Sequence, residues 1–97
     1  MQLAILYLLE NERYGYDIIK NLNEEGLAVE VSTLYPILSR LEDDKLLSSR
    51  WETTGPRPRK YYVITEYGKE VREKMLVTLR SFYSAIERMK KQSNGVV

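Results

Sequence analysis

Apolar residues recur three and four positions apart along much of this 97-residue chain, which is the spacing of a buried helix face. Residues 2–10 are apolar on nearly every side and predict a short helix inside the core. A second helix is expected over about residues 14–25, with Gly26 as its left-handed end. The link 27–31 contains two β-branched residues and is compatible with one brief strand. The buried stripe of the second helix consists of Ile18, Ile19 and Leu22.

A third helix is expected to begin at Ser32 or Thr33, whose hydroxyl groups suit an N-terminal cap. Pro36 supports this start, because a proline without an amide hydrogen is tolerated in the first turn of a helix. One face of this helix is apolar and predicted to be buried, through Leu34, Ile37 or Leu38, and Leu41. The other face carries groups that can bond to phosphates and base edges, namely Ser32, Thr33, Tyr35, Ser39 and Arg40.

Residues 46–53 and 59–64 are typical of strands and flank a turn with Gly55, Pro56 and Pro58, which predicts a two-stranded hairpin. Trp51 on this hairpin is predicted to cover the core. The two prolines stiffen the turn and lower the entropy lost when nearby side chains become ordered against DNA. Positive charge is concentrated here, because Arg50, Arg57, Arg59 and Lys60 stand against the single acid Glu52.

A long amphipathic helix is predicted from a cap at Thr65 to about Lys91, with Gly68 as a local weak point and residues 93–97 frayed. Its apolar positions follow a 4, 3, 4, 3 spacing, which is typical of a coiled-coil seam. We expect this seam to pair two copies of the chain, because three short helices leave little surface to cover it. Packing on its own chain is the alternative. The seam consists of Met75, Leu79, Phe82, Ile86 and Met89, broadened by Leu76 and Tyr83.

Composition excludes several classes of function. The chain has no Cys and no His, so it lacks a thiol nucleophile, a disulfide framework and the usual zinc ligands, and no cofactor or metal is predicted. Apolar residues make up 43% and charged residues 30%, and no apolar run approaches the roughly 20 residues of a membrane span. Met1 leads into the first helix without a basic segment, so no secretory signal is predicted and the cytoplasm is expected.

These elements predict a mainly α fold with a small β-hairpin. Residues 1–65 would form a winged helix-turn-helix that binds DNA, and residues 66–97 a dimerisation helix and tail. The third helix would enter the major groove while Arg57, Arg59 and Lys60 grip the backbone. Because the net charge is only +1, a winged helix that binds another protein remains an alternative. Catalysis would rest on the adjacent acids Asp43 and Asp44, which point in different directions, so no enzyme is predicted.

The stretch from Ser32 to Leu47, with residues 55–65, resembles the PadR family of bacterial and archaeal transcriptional regulators. The resemblance implies a homodimer that represses transcription, in many members until a small, often aromatic, compound binds. Phe82 and Tyr83 are candidates for lining such an effector cavity, although an aromatic stripe at helical spacing is more often core. The residues that carry the resemblance are Gly15, Tyr16, Ser32, Leu34, Tyr35, Pro36, Arg40, Leu41, Glu42, residues 57–62 and Thr65.

Two positions depart from the family's pattern. Lys45 stands where the pattern usually has glycine before the first wing strand, and Gly55 with Pro56 precedes Arg57 in the wing. The bend before the wing and the wing tip are therefore expected to differ in detail. The single C-terminal helix resembles the compact branch of the family, and the resemblance also leads us to expect a longer N-terminal arm before Met1.

Overall fold

The structure, a computed structural model, describes residues 1–95. It confirms the predicted order of three helices, a hairpin and a long last helix. In chain order the elements are α1 (Gln2–Leu8), β1 (Arg13–Tyr14), α2 (Gly15–Glu24), α3 (Val31–Asp43), β2 (Leu47–Glu52), β3 (Arg59–Ile64) and α4 (Glu66–Gly95). No helix among the described residues combines the length and apolarity needed to cross a membrane.

The core forms where α1, α2 and α3 pack on one face of the sheet. Ile5, Leu6 and Leu9 have no exposed surface, which confirms that the first helix is a core element. Each helix contributes an apolar stripe, as the helical spacing predicts. The other core residues are Ile18, Leu22, Leu34, Leu38, Leu41, Leu46, Leu47, Tyr62 and Ile64.

The sheet has three antiparallel strands in the order β1, β3, β2, where the sequence predicted two. β1 pairs Arg13 with Tyr62 and Tyr14 with Tyr61. This strand is only two residues long, too short to show the alternation that marks a strand in sequence. The brief strand considered for residues 27–31 is wrong: the chain there is without regular structure up to the start of α3. Gly26 has φ +76°, which confirms the left-handed end of α2.

The start of α4 is tied to the turn that precedes β2. The amide of Gly68 donates to Thr65 Oγ1 at 2.9 Å, so Thr65 caps the helix as predicted. The same hydroxyl donates to the carbonyl of Lys45 at 2.7 Å. Gly68 is buried, and a Cβ there would collide with the carbonyl oxygen of Leu46 and lie 2.7 Å from Ile64 Cγ1. Gly68 was predicted as a local weak point of the helix, and the fold gives it a packing role as well, because its lack of a side chain lets α4 approach the β2 turn.

α4 leaves the core soon after it begins. Val71 and Met75 pack against the core, and Arg72 Nη1 lies 2.7 Å from Glu10 Oε2 on the segment after α1. Beyond these residues the helix projects outward, and the described chain is 66 Å long but only 26 Å by 19 Å across. The helix continues to Gly95 rather than ending near Lys91, so residues 93–95 are not frayed. Residues 96 and 97 lie outside the described part of the chain.

Candidate nucleic-acid interface

α3 has one buried and one exposed face, as its sequence predicts. Leu34, Leu38 and Leu41 are buried to 1% exposure or less, and Ile37 is partly buried. The polar residues predicted for the opposite face are all exposed, so their side chains are accessible to a ligand. They are Ser32, Thr33, Tyr35, Ser39 and Arg40.

The first turn of α3 differs from the prediction. The helix begins at Val31, and the amides of Thr33 and Leu34 both bond to the carbonyl of Glu30, at 3.0 and 2.9 Å. No side chain of the described chain caps this end, so capping by Ser32 or Thr33 is wrong. Pro36 consequently falls in the second turn, where its missing amide leaves the carbonyl of Ser32 without its helical donor.

Tyr35 is held against the start of α2. Its side chain is 40% exposed, and its hydroxyl lies 2.6 Å from where a Cβ on Gly15 would stand. The absence of a side chain at Gly15 therefore makes room for the phenol. The hydroxyl end of the ring is thus packed against α2, while the rest of the side chain remains accessible.

The wing carries two arginines, Arg57 and Arg59, that no carboxylate of the described residues neutralises. Within residues 1–95, neither Arg57 nor Arg59 takes part in an ion pair, and both side chains are exposed. The Arg59 guanidinium lies 5.3 Å from the ring centroid of Tyr14, a cation–π distance that orients it along the sheet. Arg57 and Arg59 line an open hollow of about 470 Å³ with Tyr61. Glu52 lines the same hollow, but among the described residues its carboxylate bonds to Thr54 and Arg50 and not to these two arginines.

Arg50, counted with the basic residues of the wing, is neutralised by a carboxylate. Its Nη2 and Nε lie 2.6 and 2.8 Å from the two carboxylate oxygens of Glu12, in a bidentate pair. Glu52 is a second, more distant partner at 3.4 Å. The hydrogen bonds from Arg50 lower the pKa of Glu12 below its usual value, despite some opposing desolvation. Arg50 therefore links β2 to the segment between α1 and β1.

Lys60 also has an acidic partner. Its Nζ lies 3.4 Å from Glu42 Oε1 at the end of α3, and Ser49 Oγ donates to the other oxygen of Glu42. The same ammonium lies 5.3 Å from the ring centroid of Tyr62 and 5.8 Å from that of Trp51. Burial disfavours the charged form, but Tyr62 and Glu42 outweigh it and raise the pKa of Lys60.

Trp51 does not cover the core, and that prediction is wrong. Leu47 at the start of β2 is 2% exposed, whereas Trp51 near its other end is 60% exposed. The physical reason is that the hairpin extends past the helices, so its outer residues have no core to face. Trp51 instead lies beside Lys60 on the neighbouring strand, its partner in the register.

The apolar seam of α4 is largely uncovered by its own chain. Only Met75 packs against the core, and Leu76 is partly buried. Phe82 and Tyr83 are each 65% exposed, so they are not part of the core of their own chain. The rest of the seam is also accessible to a partner, because Leu79 is 51%, Ile86 39% and Met89 60% exposed.

An open groove of about 870 Å³ lies between the start of α1 and α4. Its lining residues include Leu3, Ile37 and Met75, with Leu79 and Phe82 further along α4. Tyr83, the other residue considered for an effector cavity, does not line this groove. Within residues 1–95 no group of three or more acidic residues is placed to hold a metal ion.

Three residues that shape this interface were not identified as functional from sequence. Glu12 neutralises Arg50 from 38 positions away, which no local pattern indicates. Glu42 was named only as part of the resemblance, and its contacts with both wing strands depend on the fold. Gly15 stood in the resemblance without a physical reason, which the close approach of Tyr35 now supplies.

Comparisons with known proteins agree on one family. The model of the transcriptional regulator PadR-like family matches residues 5–74. Transcriptional regulator Rv3488 of Mycobacterium tuberculosis (strain ATCC 25618 / H37Rv) is 38% identical over 60 residues, which are 62% of this chain and 56% of that protein. The match thus spans little more than half the length of this relative.

Solved structures extend the comparison to the fold. The crystal structure of a PadR family transcriptional regulator from Eggerthella lenta DSM 2243 superposes with a TM-score of 0.88 at 33% identity, over 91% of this chain and 79% of that one. Bacillus subtilis PadR, crystallised in complex with operator DNA, superposes with a TM-score of 0.72 at 33% identity, over 78% of this chain and 45% of that one.

Three helices followed by the β2–β3 hairpin, which the short strand β1 between α1 and α2 extends to a three-stranded sheet, define the winged helix-turn-helix class together with the exposed polar face of α3. Because the family model covers most of the chain, the chain belongs to the PadR-like family of transcriptional regulators. The family and the relatives are regulators rather than enzymes, in agreement with the prediction from composition.

Proposed function

We propose that this chain is a sequence-specific DNA-binding regulator that represses transcription as a homodimer on a two-fold operator. One observation carries the proposal: the exposed polar face of α3 belongs to the same small domain as Arg57 and Arg59, which have no ion-pair partner among the described residues. The likeness to Bacillus subtilis PadR, which was crystallised with operator DNA, supports it. Repression would follow from occlusion of the polymerase, and the place of action would be the cytoplasm.

α3 supplies the contacts with bases in this proposal. Tyr35 and Arg40 contact base edges or phosphates, because their long side chains carry hydrogen-bond donors that can reach these groups from α3. Ser32, Thr33 and Ser39 anchor the helix to phosphate oxygens through their hydroxyl groups. The missing cap supports this assignment, since the hydroxyls of Ser32 and Thr33 are not used to satisfy the helix end.

The wing supplies contacts with the DNA backbone. Arg57 and Arg59 are the side chains assigned to phosphates, because within the described chain no carboxylate neutralises them. Phosphate contacts add affinity and set the register of the protein without reading sequence. Lys60 was predicted to act with them, but its ion pair with Glu42 gives it a different environment.

The dimer is formed by α4 in this proposal, with residues 1–65 as the DNA-binding unit and 66–97 as the dimerisation helix and tail. The exposed seam from Leu79 to Met89 supports pairing, because a row of large apolar side chains facing water is unfavourable. With 30 residues at about 1.5 Å each, α4 is roughly 45 Å long. In such a dimer the two α3 helices would enter successive major grooves, which lie about 34 Å apart on one side of the duplex.

Release by a small aromatic compound completes the proposal. The groove beside α1 has a volume of about 870 Å³, within the range of small-molecule sites, and Phe82 offers a ring for stacking. Because this groove adjoins the dimer seam, a bound compound could alter the spacing of the two α3 helices. The expected observation is that an aromatic compound lowers operator affinity in the wild type and less in Phe82→Ala.

Binding to a fluorescent duplex of the protein's own upstream region tests the central claim, with a scrambled duplex as control and several KCl concentrations. We expect two protomers per operator and preference over the scrambled duplex. If about six phosphates are contacted, the slope of log K against log salt should be near −5. A flat salt dependence, or equal affinity for both duplexes and for genomic fragments, would favour the protein-interaction alternative.

A further inference from the structure

Glu42, in the last turn of α3, contacts both strands of the wing. Ser49 Oγ on β2 donates to one carboxylate oxygen, and Lys60 Nζ on β3 lies 3.4 Å from the other. The side chains of Glu42 and Lys60 are each only 31% exposed, so water screens this pair less than a fully exposed one. One carboxylate thus joins the predicted DNA-reading helix to both halves of the hairpin.

We propose that Glu42 is a positioning residue that fixes the wing relative to α3, and that Lys60 is its partner rather than a phosphate contact. This inference rests on the proposed function. Lys60 lies next to Arg59 and three positions from Arg57. A small rotation of the hairpin at Lys60 therefore moves both arginines relative to α3 and so changes which phosphates they can reach.

The surroundings of Lys60 favour the internal pair over a phosphate. Its ammonium is already within cation–π distance of Tyr62 and Trp51 in addition to Glu42. If Lys60 moved to a phosphate, the carboxylate of Glu42 would lose its cationic partner close to the negatively charged duplex. That loss is unfavourable for a partly buried carboxylate, so the pair is expected to persist in the complex.

The positioning role can be measured without DNA, by amide hydrogen exchange of residues 48–60 in the intact dimer. Glu42→Ala removes both contacts, and Asp43→Ala is the matched control because Asp43 is exposed on the neighbouring position of the same helix. We expect hairpin exchange to be about fivefold faster in Glu42→Ala, the order of a partly exposed pair with one added hydrogen bond. Asp43→Ala should leave hairpin exchange unchanged. Glu42→Gln can still accept a hydrogen bond from Ser49, so its exchange rate should lie between those of the wild type and Glu42→Ala. Equal exchange in Glu42→Ala and Asp43→Ala would overturn the proposal.

Operator binding gives a second test, because losing the charge of Glu42 and losing its positioning role should change DNA affinity in opposite directions. Both alanine variants remove one negative charge, which by itself should strengthen binding to DNA. We expect Asp43→Ala to bind as well as the wild type or better, and Glu42→Ala to bind about fivefold more weakly, because its wing is no longer positioned. Tighter binding by Glu42→Ala would overturn the positioning role.

The salt dependence separates Lys60 from the wing arginines. Arg57→Gln removes one phosphate contact per protomer, so the slope of log K against log salt should become less negative by about 2 for the dimer. Lys60→Met is expected to weaken binding with the slope unchanged, and to add no further loss to Glu42→Ala. A slope change in Lys60→Met equal to that in Arg57→Gln would show that Lys60 contacts phosphate. Absence of specific operator binding by the wild type would instead contradict the proposed function, while the exchange experiment would still decide the role of Glu42.

Discussion

The hydroxyl of Tyr35 on α3 lies 2.6 Å from the position that a Cβ on Gly15 would occupy at the start of α2. Because no real Cβ tolerates an oxygen at that distance, glycine is needed for this position of the phenol. The contact couples the first turn of α2 to the exposed face of α3. A residue with no functional group thereby controls the position of a side chain that we assign to DNA.

Gly15→Ala is expected to displace Tyr35 with little effect on stability. Alanine favours a helix over glycine by up to about 1 kcal/mol, which offsets the cost of moving a half-exposed ring. The free energy of operator binding should become less favourable by about 1 kcal/mol, the lower end of the range for one altered base contact. Tyr35→Phe in the Gly15→Ala background removes the closest atom and so relieves the clash, but it should not restore affinity, because the donor assigned to DNA is the hydroxyl itself. Unchanged affinity in Gly15→Ala would separate Tyr35 from recognition.

Lys45 has a positive φ of 67°, which explains the glycine usual at this position in the family's pattern. A left-handed conformation costs a residue with a Cβ roughly 1 kcal/mol. We therefore expect Lys45→Gly to stabilise the protein by about 0.5–1 kcal/mol in urea unfolding. Asp44→Gly is the matched control, because Asp44 has an ordinary φ of −80° and glycine there only adds entropy to the unfolded chain. Equal effects of the two changes would contradict this account.

The sequence allowed the helices and hairpin to be predicted because each has a periodic apolar pattern or distinctive turn residues. The face of α3 followed from the spacing of Leu34, Leu38 and Leu41, and the hairpin from the residues around Pro56. The strand at Arg13 could not be predicted, because it exists only through pairing with Tyr62 far along the chain. The burial of Trp51 was misjudged for a related reason: local sequence does not show how far the hairpin extends past the core.

Charges were the least predictable part of the candidate site. The sequence placed four basic residues in the wing, but the fold pairs Arg50 with Glu12 and Lys60 with Glu42. Only Arg57 and Arg59 remain without a carboxylate partner among the described residues. Ion pairs between distant segments depend on tertiary structure, so a cluster of basic residues in sequence overstates the charge available to DNA.

Gly68→Ala is expected to be strongly destabilising. A Cβ at Gly68 would meet the backbone carbonyl of Leu46, which cannot move aside without disturbing β2 and the cap at Thr65. Overpacking of this kind typically costs about 1–3 kcal/mol, and we expect the upper part of that range in urea unfolding. Gly55→Ala is the control, because the nearest atom to a Cβ there is the Arg57 carbonyl oxygen at 4.0 Å. A similar unfolding midpoint for both variants would argue against the close approach.

The ion pair between Arg50 and Glu12 predicts a dependence of stability on acid pH. Because the pKa of Glu12 is lowered in the folded protein, its contribution is present above the ordinary glutamate pKa of about 4.3 and is lost as pH falls through the lowered value. The stability difference between wild type and Glu12→Gln should therefore be present at neutral pH and shrink in acid. Urea unfolding of both proteins across this range measures it, and Arg50→Gln should give the same trend. A difference that grows in acid would have the wrong sign for this pair.

The exposed apolar seam of α4 can be tested as the dimer interface by placing a charge in it. Phe82 is 65% exposed and lies beyond the part of α4 that packs on the core, so Phe82→Glu should leave the fold intact. If the seam pairs two copies, this buried charge in the interface should dissociate the dimer. Val77→Glu is the matched control, because Val77 is 62% exposed but lies on the opposite face of the helix from the seam.

Sedimentation at micromolar concentration should find the wild type and Val77→Glu dimeric and Phe82→Glu monomeric. Circular dichroism should show the same helix content in all three proteins, because the fold of each chain is retained. Because two linked half-sites bind with avidity, the monomer should lose operator affinity on the order of 100-fold, and Val77→Glu should not. If both variants dissociate, the charge itself rather than the seam is responsible. If Phe82→Glu remains dimeric, the dimer is formed by another surface, and the spacing of the two α3 helices must then be set without α4.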